Sequence, residues 1–248
     1  MTGPLPGSTA LWEHAMKTAR KSLLVPLMMF AGSAWAADAQ TRDVPDFHSI
    51  ELSHGIKAEL KVGPKSVRVE GPADLVSRLE LKVEDGELAT KMERKGILNS
   101  FNGSKIRLFI TVPRLEEVTV SGGGSVEGEV ATSEDFSIEA SGGASIDLRG
   151  IDTRKLDLEV SGGGTVQLEG RAKQLDIEAS GGAVVKAMKL AGLRDLDVEA
   201  SGGAQVEADP SESLEVEATG GTTVKCVSRP NRAQVQASGG SRVLYAKD

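Results

Sequence analysis

Two columns of acidic residues are the feature of the sequence that looks most like chemistry. Asp157, Asp176, Asp197 and Glu215 each stand four residues before a recurrent Ser-Gly-Gly or Thr-Gly-Gly triplet, and Glu139, Glu159, Glu178, Glu199 and Glu217 stand two before it. Hard cations such as Ca2+ take several carboxylate oxygens. Asp157, Glu159, Asp176, Glu178, Asp197 and Glu199 are therefore candidates for a strip that holds cations or a cationic partner. Stacked about 5 Å apart, such charges repel by a few tenths to about 1 kcal/mol each in water. The same residues equally make a solvated face that keeps a sheet from aggregating, and this simpler reading is preferred. Ca2+-binding β-rolls repeat Gly-Gly-x-Gly-x-Asp; only Asp147 after Gly142-Gly143 approaches that motif here, and the period is wrong.

Catalysis is the rival reading, because long β-helices often carry polysaccharide lyase or hydrolase activity. Such enzymes need a carboxylate pair or an Arg/Lys base placed in a groove. The carboxylates here form uniform columns with no singular cluster. The three histidines, His14, His48 and His54, all lie in the first quarter of the chain, far in sequence from the triplet serines that would need a base. No catalytic residue, cofactor or resident metal is expected. Cys226, the single cysteine, excludes an internal disulfide framework or a multi-thiolate metal site. It occupies a column otherwise filled by Leu148, Leu168, Ala187 and Ala208, so it reads as a small core residue.

The elements that position these side chains follow from a repeat. The triplets are Ser121-Gly122-Gly123, Ser141-Gly142-Gly143, Ser161-Gly162-Gly163, Ser180-Gly181-Gly182, Ser201-Gly202-Gly203, Thr219-Gly220-Gly221 and Ser238-Gly239-Gly240. Their start-to-start spacings are 20, 20, 19, 21, 18 and 19 residues. Apolar residues stand five, three and one positions before each triplet after the first, as in Leu156, Leu158, Val160 and Leu196, Val198, Ala200. Five positions after the Ser or Thr the column reads Val126, Ile146, Val166, Val185, Val206, Val224, Val243. Alternation with period two means strands with one face inward, and it excludes helix. Each unit is then strand, Gly-Gly bend, strand, with a second corner near Gly128, Gly150, Gly170 or Pro210.

One unit cannot bury its inner face alone, whereas stacked units bury it and pair their backbones above and below. The expected fold is all-β, a parallel β-helix or solenoid with coils of about 20 residues and Ser-Gly-Gly corners. The triplet serines are expected to hydrogen-bond locally across the turn and with their stacked counterparts. Residues 37–248 are read as a single domain, with 37–112 as less regular opening coils and a cap and 113–248 as the regular coils. Near residues 93–103, Ile97, Leu98 and Phe101 are expected to fold back over the end of the helix. The far end, through Val243 and Tyr245, shows no cap and leaves an edge that a second subunit could cover.

The opening segment, the run Ile110-Thr-Val-Pro-Arg-Leu-Glu-Glu-Val-Thr-Val120 and the Ser-Gly-Gly coils together resemble the bacterial autotransporter-adhesin head (GIN) domain family, a domain of unknown function. The resemblance covers roughly residues 45–230. It implies a β-helical fold in exported or cell-envelope proteins and supplies no catalytic residues. No β-barrel translocator follows the coils in this sequence, so self-export through an outer membrane is not expected.

Residues 1–36 read as an N-terminal extension followed by a cleaved secretory signal peptide: basic Met16-Lys-Thr-Ala-Arg-Lys21, apolar Leu23–Phe30, then Ala34-Trp35-Ala36. Its removal takes away Lys17, Arg20, Lys21 and Glu13 and turns the net charge from −7 into −9. So acidic a chain is a poor nucleic-acid partner, and no membrane span is expected after cleavage. The sequence thus points to an exported, periplasmic or secreted envelope module without enzymatic activity, adhesin-like or polymer-binding. Its partner would be an envelope polymer, a glycan or a protein. A homo-oligomer formed through the solenoid end is a further expectation.

Overall fold

The computed structural model describes residues 40–93 and 103–246. The signal-peptide reading and the segment carrying Ile97, Leu98 and Phe101 lie outside these residues. The described chain is a parallel β-solenoid of about seven turns with coils near 20 residues. Corresponding strands pair in parallel, coil on coil, in the register that the triplets imply. Leu156 lies beside Leu175, Leu175 beside Leu196, and Leu196 beside Leu214. The inward ladders are almost wholly buried, including Leu158, Ile177, Val198 and Val216 in one column and Val166, Val185, Val206 and Val224 in another. Each such aliphatic side chain contributes about 1.5–3 kcal/mol by leaving water. Phe136, above Leu156, is the largest of the fully buried side chains.

The Ser-Gly-Gly corners close the coils through backbone alone. Ser180 N–H donates to the Val160 carbonyl at 2.9 Å, and Gly182 N–H to the Gly162 carbonyl at 2.7 Å, so the ladder runs on through the bend. The first glycine of each triplet is left-handed, with φ between 62° and 80°. At Gly181 a Cβ would stand 2.8 Å from the Gly162 carbonyl oxygen. The serine hydroxyls behave differently from expectation. Among the described residues those of Ser121, Ser141, Ser161, Ser180 and Ser201 take no hydrogen-bond partner, because the turn is already satisfied by main-chain bonds and the hydroxyls face water.

The corners also show a size rule. Where the strand ends in Val, the fourth corner residue is Gly, as in Val120/Gly124 and Val160/Gly164; where it ends in Ala, that residue carries a Cβ and is Ala, Thr or Ser, as in Ala140/Ala144, Ala218/Thr222 and Ala237/Ser241. A Cβ on Gly164 would lie 2.8 Å from Val160 Cγ1. The second corner is a bend within continuous strands, Ser145–Val160 and Thr165–Ala179, with a register shift between Leu148 and Ile151. Buried Thr153 satisfies it by donating to the Ser133 and Glu134 carbonyls at 2.9 and 2.6 Å.

The opening region departs from a simple run of coils. Strands Ser49–Leu52 and Lys57–Val62 form a rung between two later ones: Leu115–Val120 and Ser125–Glu129 on one side, Glu87–Met92 and Arg107–Val112 on the other. The chain then reverses. Leu79–Glu84 runs antiparallel to Glu87–Met92 through a tight Asp85-Gly86 turn with both φ positive, and Ser66–Glu70 runs antiparallel to Arg107–Val112. Gln40–Arg42 adds outside the latter. These antiparallel strands, with the one-turn helix Ala73–Val76, end the parallel ladder.

The size rule gives a direct test. Gly164→Ala alone is expected to cost about 1–3 kcal/mol by overpacking. In a Val160→Ala background the added cost should shrink, with a coupling of about 0.5 kcal/mol or more in urea unfolding. Strictly additive costs would refute the rule.

Candidate functional site

The fold places both acidic columns on one outward face. Asp157, Asp176, Asp197 and Glu215 fall in register on consecutive rungs, as do Glu139, Glu159, Glu178, Glu199 and Glu217. They alternate with buried core positions, so the strand pleat alone holds them outward. Rungs about 4.8 Å apart then set carboxylate above carboxylate. Lys155 partly neutralises one column, its Nζ lying 2.5 Å from Asp157 and 3.0 Å from Asp176. Gln174 adds donations of 3.1 and 3.2 Å to Asp176. In the other column no ion pair reaches Glu139, Glu159, Glu178, Glu199 or Glu217 among the described residues. A shallow groove of about 340 Å³ runs beside them, lined by Glu159, Glu178, Glu199 and Glu217 together with Ser180 and Ser201 of the corners.

Electrostatics follow from the stacking. Partial burial, and then the charges of Glu159, Glu117 and Glu51, push the Glu139 carboxyl above the ordinary range. Asp197 is raised in the same way, by desolvation first and then by Glu215, Asp176 and Glu199. The opposite outward face is mixed in charge: Asp147, Gln167, Lys186, Glu207 and Lys225 follow one another. There Lys225 meets Glu207 at 2.9 Å and Gln167 donates to Asp147 at 3.3 Å. At the second corner Arg194 grips Glu212 with two hydrogen bonds of 2.8 and 3.0 Å. Charge is thus segregated, uniformly acidic on one face and mixed on the other.

The columns do not gather into a chelating set. Among the described residues no three acidic, histidine or cysteine side chains converge as metal ligands. The six candidates for a cation strip lie along two lines instead of around a point. His48 and His54 stand at the opening rungs, away from the regular corners, and His14 lies outside the described residues. His48 contacts Glu116 at 3.1 Å, and His54 Nδ1 lies 2.5 Å from the Ser53 hydroxyl. Cys226 is buried beneath Tyr245, and burial pushes its thiol up to about 11.

One member of the corner column is not apparent from the triplet motif. Ser53-His54-Gly55 is a corner of the same kind, stacked on Ser121-Gly122-Gly123. Ser121 N–H donates to Leu52 and Ser125 N–H to Ile56, at 2.8 and 3.0 Å. His54 takes the left-handed position of the first glycine, with φ of 64°. The signal was a Ser-x-Gly preceded by the alternating Ile50 and Leu52; the histidine in a glycine position hid it.

These observations define a capped β-solenoid that presents long, regular faces and no enclosed pocket of clustered reactive groups among its described residues. Residues 46–230 match the model of the family described as "Putative auto-transporter adhesin, head GIN domain", and the chain belongs to that family. Its fold is shared with a solved "putative adhesin" from Bacteroides fragilis, at 21% identity and a TM-score of 0.73, over 84% of this chain and 95% of that one. A "putative lipid binding protein" from Parabacteroides distasonis is similar at 15% identity and a TM-score of 0.66, over 84% and 96% of the two chains. A "putative adhesin" from Parabacteroides merdae has 14% identity and a TM-score of 0.56, over 84% and 95%. No curated protein matches the chain.

The raised carboxyls carry a pH consequence. A group that binds its proton more tightly when folded adds stability as it becomes protonated, and that stability is lost as pH rises. For Glu139 and Asp197 the window lies just above the ordinary values of 4.5 and 3.8. The melting temperature is therefore expected to rise as pH falls from neutral toward that window, and the rise should flatten in a Glu139→Gln/Asp197→Asn double variant. A melting temperature that falls over the same interval, or a double variant with an unchanged profile, contradicts the raising of these two carboxyls.

Proposed function

We propose that the protein is an exported, adhesin-like module of the bacterial cell envelope that binds a partner along its acidic face and catalyses no reaction. Residues 1–36 would direct export and be removed, leaving 37–248 as one solenoid domain. The observation that carries this reading is the in-register ladder of glutamates Glu139, Glu159, Glu178, Glu199 and Glu217, which no ion pair reaches among the described residues. Identical groups on successive rungs suit an extended partner that repeats, such as an envelope polymer or glycan bearing amino groups. Each contact at such a surface is weak, and many in register add up by effective concentration. Membership in the adhesin head family supports the same reading.

A binding screen of the protein against envelope polymers and a glycan panel tests it. Amine-bearing polymers are expected to be retained, with binding that weakens as salt rises. A Glu178→Gln/Glu199→Gln variant should lose roughly fivefold in affinity, since exposed ion pairs contribute a fraction of a kcal/mol each. Retention indifferent to both salt and the variant would remove the acidic face from the function, and hydrolysis of a panel member would overturn the non-enzymatic reading.

A further inference from the structure

At the far end of the stack the chemistry of the coil changes while its fold does not. Strands Arg232–Ala237 and Arg242–Tyr245 pair on one side with Ser213–Ala218 and Thr223–Cys226, in the register of every regular rung before them. On the other side no strand of the described residues pairs with them. Ala233, Val235 and Ala237 continue the column of buried Leu214, Val216 and Ala218, yet they are exposed, Val235 at 42%. The opposite end is closed by antiparallel strands whose outer member carries Glu80, Lys82 and Glu84. Charged edges of that kind discourage strand addition; the Arg232–Ala237 edge has none beyond its first residue.

Both acidic columns stop at this rung. Gln234 follows Glu215 and Gln236 follows Glu217, each donating back to its carboxylate, at 3.2 and 3.4 Å. Residues 227–246 contain no Asp or Glu, while Arg229, Arg232 and Arg242 are all basic. Arg229 lies over the Tyr245 ring at 5.5 Å. An occupant of the end therefore meets apolar inward positions, neutral amides in place of the columns, and cations at the strand starts.

We propose that this rung is the contact of a two-fold, tail-to-tail homodimer in which Arg232–Ala237 pairs antiparallel with the same strand of a second copy. Pairing must match inward with inward residues, since a slip of one residue would turn the apolar set outward. A two-fold axis at Val235 meets that condition: valine faces valine, and Ala233 faces the other copy's Ala237. Gln234 then faces the other copy's Gln236, amide to amide. On any earlier regular rung from Asp157 onward the same geometry would set carboxylate against carboxylate, a repulsive pair. Arg232, on the same outward side of its strand as Gln234 and Gln236, would lie near the place where the other copy's acidic columns end, at Glu215 and Glu217, so opposite charges meet across the junction. The contact is self-complementary and closes at two copies.

Sedimentation velocity on the full chain over a concentration series tests the proposal. A dimer is expected, reduced to monomer by Val235→Lys. Gln236→Glu, at an outward exposed position that leaves the fold intact, should weaken the dimer several-fold, and added salt should restore it. A monomer at all concentrations overturns the proposal. So does a dimer indifferent to both variants, and so does a mass that grows without limit, which would mean head-to-tail assembly.

Discussion

Coils of this solenoid can approach only as closely as their corners permit, and everything else in the structure depends on that approach. Strand pairing sets a spacing of about 4.8 Å, so at each bend one backbone must rest on the next. A side chain there would fill the space that the carbonyl of the coil above occupies, as the 2.8 Å gap between a notional Gly181 Cβ and the Gly162 oxygen shows. Glycine meets the left-handed backbone and the close approach together. Once the corners stack, the strands leaving them are forced into register, and register sets which residues are buried and which form ladders outside.

That chain of cause explains what could be read from the sequence. Seven Ser- or Thr-Gly-Gly triplets at nearly constant spacing locate the corners, and the period-two pattern between them assigns Leu156, Leu158 and Val160 to the core and Asp157 and Glu159 to the surface. Both acidic columns lie where counting from the triplets puts them. The pairing of Val with Gly, and of Ala with a residue that carries a Cβ, was visible in the letters but has meaning only once Val160 Cγ1 is seen against the Gly164 position. Serine hydroxyls were a natural candidate for turn hydrogen bonds, yet the main chain had already claimed the donors and acceptors they would have used. Least legible was the cap. Antiparallel reversal at Asp85-Gly86 and the insertion of the Ser49–Leu52 rung between later ones involve partners distant in sequence. No local pattern encodes which of several similar strands will be the neighbour.

The acidic face shows what a strict repeat costs. A residue type that is harmless once becomes a column of like charges when copied onto every rung, and that repulsion adds to partial burial, the larger cause, in raising the Glu139 and Asp197 carboxyls. Elsewhere the molecule interleaves cations, as at Lys155, Lys225 and Arg194. The glutamate column is left without them and ends in an amide at Gln236. Stability alone would favour breaking the column with lysines, yet it persists through five rungs.

The out-of-order rung at Ser49–Leu52 and Lys57–Val62 bears on how the chain acquires its shape as it emerges amino-end first. That rung is flanked on both sides by strands that lie later in sequence, so it cannot be enclosed until residues near 128 have appeared. The opening region must therefore assemble as one cooperative block, slowed by its distant contacts. Beyond it each new coil finds its template already complete about 20 residues upstream, and growth becomes a sequence of short, local additions. The cap is thus both the end of the solenoid and the seed from which it lengthens.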